Sequence, residues 1–293
     1  MVDFFVIGPP KCGTTTLYHW LRTNHSIFLP IEKEPHYFMF KDESLKYKGP
    51  GDNERLKRMV TTDQKAYINL FGAKKINQLA GDCSTMYFYS VKAIENIKEY
   101  NPNAKIIIVL RNPVERAFSH FMHQVRDGYE KATDPLKSFL LSQKRIDDGY
   151  MPFWDYESPG KYSKWLPIWK SEFKNVLILD YVQLMTNPDT AITKVASFLG
   201  IPNEFQVSKD QVFNKSGNPA MSSLNRLMKR KTVIHRLFSF FLSAERRAKI
   251  KNKILNANNR AASLKNYPTF SDYLKESYSQ DIVLYNQLSA END

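Results

Sequence analysis

Two short segments carry residue types that together could hold a doubly phosphorylated ligand. The first is Gly8-Pro9-Pro10-Lys11-Cys12-Gly13-Thr14-Thr15-Thr16. Gly8 and Gly13 stand at the spacing of a phosphate loop, in which glycines let backbone N–H groups approach an anion and the following helix offers its positive N-terminus. A nucleoside triphosphatase places its lysine directly after the second glycine, where this chain has Thr14; the loop's only lysine is Lys11, in its middle. The second segment is Arg111-Asn112-Pro113, which closes an apolar run. A triphosphate enzyme needs an acid at such a strand end to hold magnesium. A cation there repels a metal and attracts a second anionic group, so the expected site takes two separated phosphates with no metal.

The elements that must position these residues read as alternating strands and helices. Phe4 to Ile7 is a short apolar run before Gly8, and Thr15 to Leu21 reads as a helix. Lys105 to Leu110 is a continuous apolar run suited to the centre of a parallel sheet, buried on both faces. A helix follows from Val114 to about Gln124, with Ser119 two turns in. Asn175 to Tyr181 is a third strand, and Asp189 to Leu199 a helix stopped by Gly200. The fold class is therefore α/β, a P-loop-like parallel central sheet flanked by helices. Residues 41–65 and 126–160 are polar and turn-rich, which suits substrate-side loops. The C-terminal region from about Ser222 reads as helical. No repeat or long linker divides the chain, and 1–293 is expected to be a single domain.

Composition narrows the function. Two cysteines, Cys12 and Cys83, in 293 residues supply neither a disulfide framework nor a four-cysteine metal site. The N-terminus shows no signal-peptide pattern and no stretch reaches the roughly 18 uninterrupted apolar residues of a spanning helix, so a cytoplasmic location is expected. The net charge of +12 is concentrated: Ser222 to Arg260 holds eleven Lys or Arg against one acid, Glu245. Within the helical segment 222–262 the stretch 222–260 suits a lid over an anionic acceptor, a peripheral membrane contact or a solvated helical face. Base-reading and stacking motifs are absent, so nucleic acid is not an expected partner.

Taken together, Pro10-Lys11-Cys12-Gly13-Thr14-Thr15-Thr16-Leu17 and the run from Arg111-Asn112-Pro113 through Arg116-Ala117 to Ser119 resemble the two cofactor signatures of the sulfotransferase superfamily. Lys33-Glu34-Pro35-His36-Tyr37-Phe38 is similar to a stretch of its heparan-sulfate-type branch in which the glutamate is the catalytic base. Gly160-Lys161-Tyr162 and Ser197-Phe198-Leu199-Gly200-Ile201 resemble later parts of such chains, and Asn214-Lys215-Ser216-Gly217 resembles a donor-closing loop of bacterial members.

The resemblance implies transfer of a sulfo group from 3′-phosphoadenosine-5′-phosphosulfate (PAPS) to a hydroxyl or amine, with 3′-phosphoadenosine-5′-phosphate (PAP) as product and no metal. The donor-binding residues it implies are Lys11 and Cys12 in the 5′-phosphosulfate loop with the backbone amides of Gly13, Thr14, Thr15 and Thr16 on the 5′-phosphate, Arg111 and Ser119 for the 3′-phosphate, and Lys215, Ser216 and Gly217 in the closing loop. Lys11 would stabilise the leaving group and Glu34 would take the acceptor's proton, with Lys33 keeping Glu34 ionised. His36 is a second candidate, as base or to orient the acceptor. Asp82 matches an acid position of structural role, and His19 and His120 fall inside predicted helices. The partner is a small-molecule or carbohydrate acceptor. The competing readings are a P-loop kinase of a small hydroxyl and a noncatalytic nucleotide-binding protein at a membrane surface.

Overall fold

The computed structural model describes residues 1–130, 134–207 and 263–291, and the backbone of the dipeptides 218–219 and 259–260. The closing-loop residues Lys215, Ser216 and Gly217 and nearly all of the basic segment 222–262 lie outside the described residues.

Five parallel strands form the sheet: β1 Phe4–Val6, β2 Ile27–Phe28, β3 Leu79–Cys83, β4 Lys105–Leu110 and β5 Asn175–Asp180, in the order β2-β3-β1-β4-β5. Phe4 sits opposite Gly81 on one side and Lys105 on the other, and β4 pairs with β5 from Lys105–Asn175 to Leu110–Asp180. The helices among the described residues are α1 Thr14–Leu21, α2 Tyr37–Phe40, α3 Asp52–Met59, α4 Gln64–Asn69, α5 Val91–Tyr100, α6 Pro113–Arg126, α7 Pro135–Leu140, α8 Ser142–Asp147, α9 Tyr162–Glu172, α10 Tyr181–Thr186, α11 Pro188–Leu199, α12 Pro268–Ser277 and α13 Ser279–Ala290. None of those described is long and apolar enough to cross a membrane.

Alternate residues of β1 and β4 feed two cores, as the period of two requires. Phe4, Val6, Ile107 and Val109 pack with Leu17 and Trp20 of α1 and Ile192 and Val195 of α11. Phe5, Ile106, Ile108 and Leu110 pack on the other face with Ile94 of α5, Phe121 of α6 and Trp169 of α9. Each such buried aliphatic or aromatic side chain contributes roughly 1.5–3 kcal/mol relative to exposure. The continuous apolar run predicted for 105–110 is thus the doubly covered strand it resembled.

The sequence reading missed β2 and β3. The first is two residues long, and the second reads Leu-Ala-Gly-Asp-Cys, which contains two residues disfavoured in strands. Both are required here. A Cβ on Gly81 would stand 2.2 Å from the Phe4 ring, and the buried Asp82 carboxylate accepts from Ser84 Oγ at 2.6 Å and from the Tyr67 and Tyr87 hydroxyls at 3.0 Å each. The segments 41–65 and 126–160, expected to be irregular, contain α3, α7 and α8. Helix α3 hid its periodicity because two of its three buried residues are polar, Asp52 and Arg55. Asp52 accepts from Met151 N and Trp154 Nε1 at 2.8 Å each and so ties α3 to the segment around 151–154.

Candidate active site

The cleft opens beyond the C-terminal ends of β1 and β4, where the chain leaves one strand towards β2 and the other towards β5; such a switch point is the usual ligand crevice of an open parallel sheet. Gly8 makes the exit from β1 possible, since a Cβ there would lie 2.5 Å from the Val109 carbonyl oxygen. Gly13 has φ 88° and a Cβ on it would press the Tyr181 ring at 3.0 Å. The Gly13 carbonyl accepts from the N–H groups of both Thr16 and Leu17 (3.0 and 3.2 Å). The amides before them begin α1 and have no intrahelical acceptor, which leaves a positive N-terminus facing the cleft.

That cleft has a volume of about 760 Å³ and is lined by Pro10, Lys11, Gly13, Thr14, Thr15 and Thr16 of the loop, by Glu34, and by Arg111 and Ser119. Cys12 is different. Its side chain is fully buried in the core, and burial raises the thiol to about 11 against the opposing pull of Arg116 and Arg111. Only its backbone belongs to the loop, and the thiol is not a ligand-facing group.

Helix α6 positions the two residues expected to meet the second phosphate, Arg111 at its start and Ser119 two turns in. The Asn112 side chain caps it, accepting from Val114 N at 3.0 Å and Glu115 N at 3.3 Å, and Pro113 opens its first turn. Arg111 is thereby held at the cleft edge, where Nε and Nη2 donate to Glu115 at 3.2 and 2.9 Å and the guanidinium covers the Tyr181 ring at 4.6 Å. The Tyr162 hydroxyl donates to the Arg111 carbonyl at 2.6 Å. Close by, Gly160 leaves room for the Tyr278 ring, which a Cβ would meet at 2.7 Å, so the Gly-Lys-Tyr stretch joins the cleft edge to α12 and α13. Arg116, from the same motif, is wholly buried and donates to the Tyr156 carbonyl instead.

Glu34 is held from three sides. Thr85 Oγ1 donates to Oε2 at 2.9 Å, Lys33 Nζ bonds Oε1, and His36 Nε2 lies 3.3 Å from Oε2. Burial pushes this carboxyl up, but Lys33 and His36 outweigh it and hold it well below the usual carboxylate range. His36 corrects an expectation. Its ring is fully buried, does not line the cleft and has no well-formed hydrogen bond. It can act on an acceptor only through Glu34. Its backbone N–H donates to Ser84 Oγ, which donates to Asp82, so the buried acid of β3 anchors this loop.

Four non-glycine residues among those described have positive φ, and three are Lys11 (77°), Glu34 (65°) and His36 (51°). Each such placement costs about 1–2 kcal/mol and concentrates at functional sites. The cleft also has an unusual charge balance. Burial lowers the Lys11 ammonium most, Arg126 lowers it further against Asp127, and Arg111 again against Glu34, leaving it at about 8. The loop's lysine sits in an excess of cations that an anionic ligand relieves.

Sequence reasoning missed His123, Asp127, Arg55, Thr85, Tyr129 and Phe153, all of which line the cleft. For two of them a signal existed: Ser119, His123 and Asp127 follow one another at i, i+4 along α6 and its end, and so share a face. Arg126 donates to His123 Nδ1 at 2.8 Å and to Asp127 Oδ1 at 2.9 Å, which leaves the ring proton on Nε2. Burial holds His123 well below its ordinary value; Asp127 opposes this, while Lys11 and Arg126 reinforce it. His19 and His120 do not line the cleft.

A phosphate loop carrying an internal lysine, faced by a cationic helix start and an ionised glutamate, defines a group-transfer enzyme of the P-loop-like α/β class acting on an anionic donor. The family model for the sulfotransferase domain matches residues 2–263, and the chain belongs to that family. A crystal structure of a sulfotransferase from Alicyclobacillus acidocaldarius superposes with a TM-score of 0.67 at 30% identity, covering 73% of this chain and 87% of that one. The mouse bifunctional heparan sulfate N-deacetylase/N-sulfotransferase 4 is 28% identical over 224 residues, 72% of this chain and 24% of that protein. Human carbohydrate sulfotransferase 15 is 27% identical over 249 residues, 68% of this chain and 43% of that protein. The chain thus spans less than half the length of either curated relative. This membership sets aside the kinase and noncatalytic readings.

Proposed function

We propose that the chain transfers a sulfo group from PAPS to a hydroxyl or amine of a carbohydrate or small-molecule acceptor, without a metal. The observation that carries the proposal is Lys11 and Glu34 lining one cleft, the first within a surplus of positive charge and the second ionised. The donor supplies the sulfo group on a phosphosulfate anhydride whose cleavage leaves negative charge on the bridging oxygen. Lys11 stabilises that charge, and a cation fixed in place beforehand favours the transition state over the bound donor. The amides of Gly13, Thr14 and Thr15, with Thr16 beside them in the loop, hold the 5′-phosphate, and Arg111 and Ser119 the 3′-phosphate. Glu34 takes the acceptor's proton, with Thr85 and Lys33, each bonded to one of its oxygens, setting the direction of its carboxylate. Carbohydrate sulfotransferases among the relatives support a sugar acceptor.

A labelled-donor screen over sugar, small polar and lipid-headgroup acceptors, run in excess chelator, tests the activity; transfer is expected to persist. Phosphoryl transfer that returns only with magnesium would restore the kinase reading. For Arg111→Ala, loss of charge-assisted bonds worth roughly 1.5–3 kcal/mol predicts about ten- to a hundredfold weaker PAP binding by calorimetry. Unchanged affinity removes Arg111 from the donor site.

A further inference from the structure

We propose that Arg55 reads an oxyanion on the acceptor, a carboxylate or a phosphate carried beside the hydroxyl or amine that receives the sulfo group. The inference rests on the sulfo-transfer reading and concerns the part of the cleft lined by Arg55, Tyr129 and Phe153.

Arg55 is only 4% exposed and yet lines the cleft. The rings of Tyr129 and Phe153 pack against its guanidinium, with centroids 4.1 and 4.3 Å from Cζ. One nitrogen, Nη1, donates to Gln124 Oε1 at 2.9 Å. Among the described residues Arg55 forms no ion pair. The two acids that act on it from farther away are committed elsewhere: Asp127 to Arg126 and His123, and Asp52 to Met151 N and Trp154 Nε1.

The other arginines at or near the cleft differ. Arg111 pairs with Glu115, Arg126 with Asp127 and Arg145 with Glu130. Arg116 also has no acid partner among the described residues, but it is sealed in the core and bonds a carbonyl. Arg55 alone of this group combines burial, an unpaired charge and access to the cleft. A buried cation lacking a partner is strongly unfavourable, and a ligand that supplies the missing charge gains what the protein forgoes. Guanidinium also suits this role, because when packed on aromatic rings it keeps a planar set of N–H donors that matches the two oxygens of a carboxylate or phosphate.

The proposal is tested by calorimetric titration of the full chain, free and saturated with PAP, with 4-nitrophenyl glucuronide, 4-nitrophenyl glucoside 6-phosphate and the neutral 4-nitrophenyl glucoside. At least one anionic glycoside is expected to bind about ten- to a hundredfold more tightly than the neutral one, and the tighter of the two names the acceptor's anion. Arg55→Gln should erase that advantage and leave PAP affinity unchanged, which also shows that the variant is folded. If Arg55→Gln does not fold, Arg55→Lys serves, with the advantage reduced because the planar fork is lost. Equal binding of all three glycosides, binding of none, or an anionic advantage that survives substitution overturns the proposal. Loss of the donor reading would appear separately, as absent PAP binding, with the glycoside comparison still legible on the free chain.

Discussion

Glu34→Gln is expected to slow single-turnover sulfo transfer by roughly a hundred- to ten-thousandfold, the range that a positioned general base contributes, with PAP affinity changed less than about twofold. The substitution keeps the shape of the side chain and an oxygen for Thr85 Oγ1 to bond, and it removes the group that can take a proton. Because Lys33 and His36 hold the carboxyl below its usual range, Glu34 remains ionised through the interval near pH 4 where an ordinary glutamate titrates. The wild-type rate should therefore show no acid limb from this residue in that interval. A limb there that vanishes in Glu34→Gln would mean that the Lys33 contact is released before chemistry. An equal loss of rate and PAP affinity would make Glu34 a structural residue, and an unchanged rate would move the base elsewhere. His36 is then a poor substitute, since its ring is sealed behind Glu34; Asp127, which lines the cleft, becomes the candidate to test.

How much of this site was legible in the sequence follows from where its constraints lie. The phosphate loop, the Arg-Asn-Pro start of α6 and the strand at 105–110 are local signals: glycine spacing, a cap followed by proline, and an unbroken apolar run. Strand β3 was invisible because Gly81 and Asp82 are justified only by distant partners, the Phe4 ring and the Tyr67 and Tyr87 hydroxyls. The part of the cleft around Arg55 escaped for the same reason. Arg55, Tyr129 and Phe153 are far apart in the chain and meet in a fold that ties α3 to the segment around 151–154 through Asp52. His36 shows the reverse error: its place beside Glu34 in the sequence suggested a shared surface, whereas the backbone turn at positive φ sends one side chain to the cleft and the other into the core. Adjacency along the chain says little about facing when the backbone leaves the ordinary regions.

Lys11→Ala should lower kcat by about a hundred- to a thousandfold, the loss typical of removing one preorganised charge-stabilising group, and should also remove an alkaline limb from the pH profile. Both residues would sit in the same left-handed conformation, so the change isolates the ammonium from the strain of the loop. The direction of the pH effect is fixed by the free-chain value of about 8: the lysine is cationic below it and loses charge above it. Wild-type kcat/KM, which reports the free enzyme, should therefore fall as pH rises past about 8. Once the donor's phosphates are bound, their charge favours the ammonium and raises its pKa, so the limb in kcat should lie at higher pH than the limb in kcat/KM. Donor binding between these two values must take up a proton, which calorimetry in buffers of different ionisation enthalpy would register. If kcat/KM stays level through pH 9, or if the two limbs coincide, Lys11 is not the cation that meets the leaving group. The same loop would then be acting through its amides alone, and the surplus charge from Arg126 and Arg111 would be serving binding rather than the chemical step.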